Sequence, residues 1–302
     1  MTATHIQMTA SGPTVSRIIP GLMRLNSWDM SDGELLDWIK GCLELGVTTF
    51  DHADIYGGHT CEEIFGRALA LEPSIRDQIQ LVTKCGIKPK SPNRPDHWIN
   101  HYDTEYDYII WSAENSLKTL QTDHLDVLLI HRPDPLMDAD EIAGAFMTLK
   151  EQGRVRHFGV SNFTPSQFDL VQSRLPFQLA TNQVEFSVVH MEPMHDGTFD
   201  QLQKQRVAPM VWSPVGGGGL FRAETDQARR LKQTMRKIAD RYDAEIDQIA
   251  IAWILAHPVR ALPVLGTGKL ERIRRAVDAE AIELDRQEWF AIWEASAGHS
   301  VP

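Results

Sequence analysis

Four residues suited to proton transfer recur through the first half of the chain. Asp51 and Tyr56 belong to the run Asp51-His-Ala-Asp-Ile-Tyr56-Gly, Lys84 closes one apolar stretch, and His131 closes another. A phenol titrates near pH 10 and is a poor acid at neutral pH. A neighbouring ammonium favours the phenolate, so Lys84 is expected to lower the Tyr56 pKa. A carboxylate such as Asp51 would keep that ammonium charged and in place. A shift of about three units corresponds to roughly 4 kcal/mol, which one close buried charge can supply. A His beside the Tyr can orient a carbonyl oxygen or share the proton. Together the four suit one task, protonating an alkoxide as a carbonyl is reduced. Taken alone, Asp51 and Lys84 read equally well as a structural salt bridge.

The elements that must bring these residues together are legible as eight β-like runs, each followed by a helical stretch. The runs are Arg17 to Leu25, Val47 to Ala53, Ile79 to Lys84, Leu125 to His131, Val155 to Asn162, Leu179 to Glu185, Ala208 to Val215 and Ala261 to Leu265. A capping box, Ser31 to Glu34, opens the first helix, where Leu35, Ile39, Cys42 and Leu43 share one face. A stretch rich in Pro and Asn, Gly86 to Asp103, reads as a loop. Near-continuously apolar runs such as Val127 to Ile130 suit strands covered on both faces. Eight units in about 300 residues predict a single (β/α)8 TIM barrel over residues 1–302, with an N-terminal capping segment and extra helices near the C-terminus. The rival, an open doubly wound sheet, lacks the Gly-x-Gly-x-x-Gly after the first strand. In a barrel the active site lies where strands end. There the sequence places Asp51, Lys84, His131, Ser161 and Asn162, Gln183, Trp212 to Pro214, and Gly266 to Gly268.

Composition narrows the function. Of 302 residues, 42% are hydrophobic and 24% charged, and 41 acidic against 30 basic residues give a net charge of −11. A nucleic-acid-binding surface would need clustered Lys and Arg, so none is expected. Three cysteines without a Cys-x-x-Cys pair argue against a disulfide scaffold or zinc ribbon. No metal site is expected, since the spacing of His52 and His59 fits no standard one. No apolar run is long enough to span a membrane, and Met1 to Ser16 lacks the core of a signal peptide. The expectation is a cytoplasmic monomer or weak oligomer.

Three runs carry a family resemblance. Asp51-His-Ala-Asp-Ile-Tyr56-Gly-Gly, Leu128-Leu-Ile-His131-Arg-Pro and Val155-Arg-His-Phe-Gly-Val-Ser161-Asn162-Phe resemble successive signatures of the aldo-keto reductases. The resemblance implies reduction of small aldehydes or ketones with NADPH, in preference to NADH. It implies Tyr56 as proton donor, supported by Asp51, Lys84 and His131, with His131 also facing substrate. Ser161, Asn162 and Gln183 would hold the nicotinamide amide, and Trp212 would stack on its ring. Ser213, Pro214 and Val215 would approach the pyrophosphate. Gly266, Thr267, Gly268 and Lys269 precede a helix whose N–H groups can receive phosphate, and Arg272 matches the adenosine-phosphate Arg. Met23 and Arg24 stand in the cofactor-side motif of the first strand. Trp28, just past that strand, is expected in the substrate pocket.

The chain departs from the family pattern at three places. Gly266 stands where a Lys is frequent, so Lys269 or Arg272 must supply charge for a 2′-phosphate. Arg275-Ala276 replaces a Glu-Asn pair, and Met23-Arg24-Leu25 replaces Gly-Thr-Trp. Gly216 to Gly219 reads equally as a phosphate cradle or a lid hinge. A second function carries the same resemblance: a nucleotide-sensing regulatory subunit with little turnover, as in the potassium-channel β subunits.

Overall fold

The computed structural model describes residues 1–302. Eight strands run parallel around one ring: β1 Ile19–Pro20, β2 Thr49–Asp51, β3 Gln80–Cys85, β4 Leu125–Ile130, β5 Val155–Ser161, β6 Asn182–Glu185, β7 Met210–Trp212 and β8 Leu262–Leu265. They are ordered β1-β8-β7-β6-β5-β4-β3-β2. The ring closes through a single parallel bridge between Gly21 and Asp51, where the Leu22 N–H donates to the Asp51 carbonyl at 2.9 Å. Gly21 suits this seam, because a Cβ there would meet Val264 at 2.8 Å. This is the (β/α)8 barrel the sequence predicts.

The helices form the outer layer: α1 Asp32–Glu44, α2 Cys61–Ala70, α3 Tyr106–Thr119, α4 Ala139–Glu151, α5 Pro165–Gln172, α6 Thr198–Gln205, α7 Asp226–Tyr242, α8 Ile246–Leu255, α9 Leu270–Asp278 and α10 Arg286–Ala297. The Ser31–Glu34 capping box opens α1 as expected. The main core of 65 buried residues lies between strands and helices. A smaller cluster of 11 fills the barrel itself, and Met8 and Val15 join it from an N-terminal hairpin, His5–Gln7 with Thr14–Ser16. That hairpin is the N-terminal capping segment.

Strand periodicity sets what faces the interior. On β3, Val82 belongs to the inner cluster, whereas Leu81 and Cys85 face the helices. Lys84 therefore points inward above Val82. The inner layers below it are apolar, so an ammonium can only enter the barrel where a carboxylate meets it.

Two expectations need correction. The first strand is far shorter than Arg17 to Leu25. Pro20 removes a ladder donor, and the chain passes into a 3₁₀ turn at Leu25–Ser27. The loop from Gly86 to Asp103 is not wholly irregular, since Ile87–Lys88 pairs antiparallel with His101–Tyr102.

Candidate active site

Asp51 is the last residue of β2 and Lys84 the penultimate residue of β3. Their side chains are 2% and 0% exposed, and Lys84 Nζ donates to Asp51 Oδ1 at 2.7 Å and Oδ2 at 2.8 Å. The same ammonium donates to the His52 carbonyl at 2.6 Å and to the Tyr56 hydroxyl at 3.0 Å. Tyr56 lies past the strand end, in a turn made possible by left-handed backbone at Gly57 and Gly58 (φ 60° and 66°). A Cβ on Gly57 would also press to 2.6 Å from Cys61 Sγ. His131 follows β4, its ring edge-on to Tyr56 with centroids 5.9 Å apart. The structure thus brings the four residues to one point.

An ammonium can only donate, so the Tyr56 oxygen accepts from Lys84 and its own hydrogen is aimed elsewhere. Burial would lower the Lys84 ammonium, but Asp51 and Tyr56 outweigh it and hold it above its ordinary value. Burial raises the Asp51 carboxyl, opposed by Lys84 and Gln183. The expected depression of the Tyr56 pKa is not what the folded protein gives. Burial pushes the phenol above its ordinary value, and the pull of Lys84 offsets only part of this. Burial, with Lys84 and Arg132 nearby, holds His131 well below the usual histidine range, hence neutral at pH 7. Its Nδ1 is buried without a partner.

Beside this cluster runs a chain of amides and hydroxyls. Trp212 Nε1 donates to Asn162 Oδ1 at 3.1 Å, and Asn162 Nδ2 donates to Ser161 Oγ at 2.8 Å and to the His131 carbonyl at 3.3 Å. Ser161 Oγ donates to the Gln183 carbonyl at 2.9 Å. The Gln183 side chain then crosses the barrel, and its Nε2 donates to Asp51 Oδ1 at 2.8 Å. Asn162 holds a left-handed φ of 61°, as does Ser213 at 53°, and such backbone strain clusters at functional sites.

The remaining expected residues line the same end of the barrel. Gly266 and Lys269 are exposed, Thr267 and Gly268 half-buried, and these four lead into α9. Lys269 and Arg272 are exposed and make no ion pair, whereas Arg275 is taken by Asp247 at 2.7 Å. Pro214 is buried, and Val215 leads into Gly216, Gly217 and Gly218, all with positive φ (61°, 59° and 86°). Arg222 reaches back to the Gly217 carbonyl at 2.7 Å. Met23 and Arg24 are exposed. The Met23 carbonyl lies 3.9 Å from Cys61 Sγ, and that of Arg24 accepts from Ser27 Oγ at 2.7 Å. Trp28, expected in the substrate pocket, packs edge-on to Trp38 at 5.1 Å and against Gly268, where a Cβ would meet its ring at 2.6 Å.

Sequence reasoning missed a buried acidic layer behind the site. Asp54 Oδ2 accepts from Ser112 at 3.0 Å, while Oδ1 is buried without a partner. Burial and nearby Glu62 push Asp54 up to about 8. Glu62 accepts from Thr83, Ser116 and Thr119. Two acids at unexplained positions on a strand end and an amphipathic helix were the available signal. No three His, Cys, Asp or Glu side chains are grouped to hold a metal, and no helix is long and apolar enough to cross a membrane.

Comparison with known proteins bears on the fold and the family. The model of the aldo/keto reductase family matches residues 17–297. The chain is 53% identical to oxidoreductase YdhF of Escherichia coli (strain K12) over 299 residues, 99% of each chain. It is 43% identical to a 6-dehydroglucose reductase of Agrobacterium fabrum, covering 95% of this chain and 96% of that one. Among solved structures it resembles a thermostable aldo-keto reductase in complex with the inhibitor epalrestat. There the TM-score is 0.80 and the identity 26%, over 97% of this chain and 99% of that one. The chain belongs to the aldo/keto reductase family and is an oxidoreductase of that class.

Proposed function

We propose that this protein reduces the carbonyl of small aldehydes or ketones to an alcohol, using NADPH in preference to NADH, with Tyr56 as proton donor. The observation that carries the reading is Lys84 Nζ in simultaneous contact with the Asp51 carboxylate and the Tyr56 hydroxyl. The residues present fit a nicotinamide dinucleotide. Ser161, Asn162 and Gln183 offer polar atoms beside the Trp212 ring, and Lys269 and Arg272 are unpaired cations at the start of a helix. When bound, the reduced nicotinamide supplies a hydride to the carbonyl carbon.

The chain's own residues govern the proton. As the C=O π electrons move to oxygen, the Tyr56 O–H, directed away from Lys84, protonates the alkoxide. An alkoxide is far more basic than a phenolate, so a raised phenol pKa keeps the proton loaded at neutral pH without blocking its transfer. Lys84 stabilises the resulting phenolate, Asp51 keeps Lys84 charged, and water restores the Tyr56 proton. A neutral His131 can point an N–H at the carbonyl oxygen. The exposed Lys269 and Arg272 supply charge for a 2′-phosphate, which supports the NADPH preference. A relative named for 6-dehydroglucose reduction makes a sugar aldehyde the first substrate class to assay.

Tryptophan fluorescence titration with NADPH and NADH, followed by cofactor oxidation on carbonyl substrates, tests the proposal. Tyr56→Phe should lower kcat by about 10³-fold and leave the cofactor Kd within about twofold. Binding without turnover on any carbonyl would move the protein to the nucleotide-sensing reading. Full activity in Tyr56→Phe would sink the mechanism.

A further inference from the structure

Gln183 touches both halves of the site. It is 2% exposed, the second residue of β6, and paired in register with Ser161. Its Nε2 donates to Asp51 Oδ1 at 2.8 Å, a contact 132 residues apart in sequence, and rests 3.7 Å from the buried Met210 Sδ. The amide orientation follows from chemistry. A flipped amide would set its carbonyl oxygen against a carboxylate, two acceptors with no hydrogen between them. No protein donor reaches the Gln183 Oε1. Lys84 and Gln183 both donate to Asp51 Oδ1, and Lys84 also donates to Oδ2, so the carboxylate joins the proton donor's partner to the row of amides beside Trp212.

Resting on the reductase reading above, we propose that Gln183 is a positioning residue linking the cofactor's amide to the proton donor. Its N–H is committed to Asp51, and its amide oxygen is the acceptor it offers to the carboxamide N–H. Two consequences separate this role from simple grip on the cofactor. Removing the N–H leaves the Asp51 charge less compensated, so Lys84 and Tyr56 bind their protons more tightly. Offering an acceptor beside a carboxylate makes the site reject a cofactor whose carboxamide is replaced by a carboxylate.

The test uses the full-length protein with Gln183→Met, similar in length and lacking hydrogen bonds, and Gln183→Glu as the second variant should the first fail to fold. Binding of NADP⁺ and of its nicotinic-acid counterpart is followed by tryptophan fluorescence, and kcat by pH profile at saturating NADPH. Wild type should prefer the amide over the acid at least tenfold. Gln183→Met should lose most of that preference and move the alkaline limb of kcat upward by about one pH unit. Gln183→Glu should match the wild-type profile while its carboxyl is protonated and can donate to Asp51, and diverge above that pH. A weaker cofactor Kd with an unmoved pH profile in both variants overturns the link to Asp51. Equal binding of amide and acid by wild type overturns the assignment of the free oxygen. Failure of wild type to bind any nicotinamide nucleotide overturns the reductase reading itself, and the link with it.

Discussion

The barrel holds a buried carboxylate with a cationic partner at each end, and the two are wired differently. At the N-terminal end Asp126, on β4, takes Arg76 at 2.8 Å and the Leu81 N–H at 2.9 Å on one oxygen, and Arg156 at 3.1 Å on the other. Arg76 also donates to the carbonyls of Ile79 and His124 and to Thr122 Oγ1. Its links end in backbone of neighbouring strands and turns, so the cluster ties strand starts together. At the C-terminal end Asp51 and Lys84 instead end in a phenol and stand beside an imidazole whose Nδ1 has no partner. The same two charge types therefore do different work. A pair whose hydrogen bonds close on backbone holds the fold, and a pair that ends in a titratable hydroxyl at an open barrel end can move a proton.

The sharpest way to break that contrast is to remove one charge from the pair at each end. Lys84→Met should lower kcat by about 10³-fold, and it leaves Asp51 buried without its cation, a loss of about 3–5 kcal/mol readable by chemical denaturation. Activity and stability fall together there. Asp126→Ala should cost about 3 kcal/mol by stranding Arg76, while kcat stays within about twofold. A large loss of kcat in a folded Asp126→Ala protein would mean that the lower cluster is not merely structural.

What the sequence disclosed follows the same division. Strand order, the α1 capping box and the four chemical residues were legible, because each is written in local periodicity or a short motif. The apolar runs around Lys84 and before His131 announce strands, and their ends announce the site. The contacts that set electrostatics were not legible. That Gln183 reaches Asp51, or that burial outweighs Lys84 in setting the Tyr56 pKa, depends on distances across the barrel and on excluded water. The packing of Trp28 was not legible for a related reason. Its position past β1 is local information, but its packing on Gly268 joins opposite ends of the chain. The brevity of β1 was set by Pro20 and by the single Gly21–Asp51 bridge, a tertiary requirement.

The smallest effect sharpens the contrast through pH. His52, next to Asp51 in sequence, is fully buried against Phe65 with neither ring nitrogen partnered. Burial, with Lys84 close by, lowers its pKa to about 3. In the unfolded chain it titrates near 6.5. Between those values the unfolded state holds a proton that the native state refuses, so stability is present above pH 6.5 and lost as pH falls toward 3. Between pH 7 and pH 5 this one group costs about 2 kcal/mol. Phenylalanine fits the same edge-to-face contact and carries no proton. His52→Phe should therefore shrink the stability difference between pH 7 and pH 5 by about 2 kcal/mol, measured by denaturant unfolding at both pH values. His131 and the other histidines whose pKa is lowered by burial add to the acid loss, and Asp54, raised to about 8, opposes it. An unchanged difference would show that the His52 ring accepts a proton in the folded protein. The C-terminal end of the barrel would then be wetter than its orphaned nitrogens indicate.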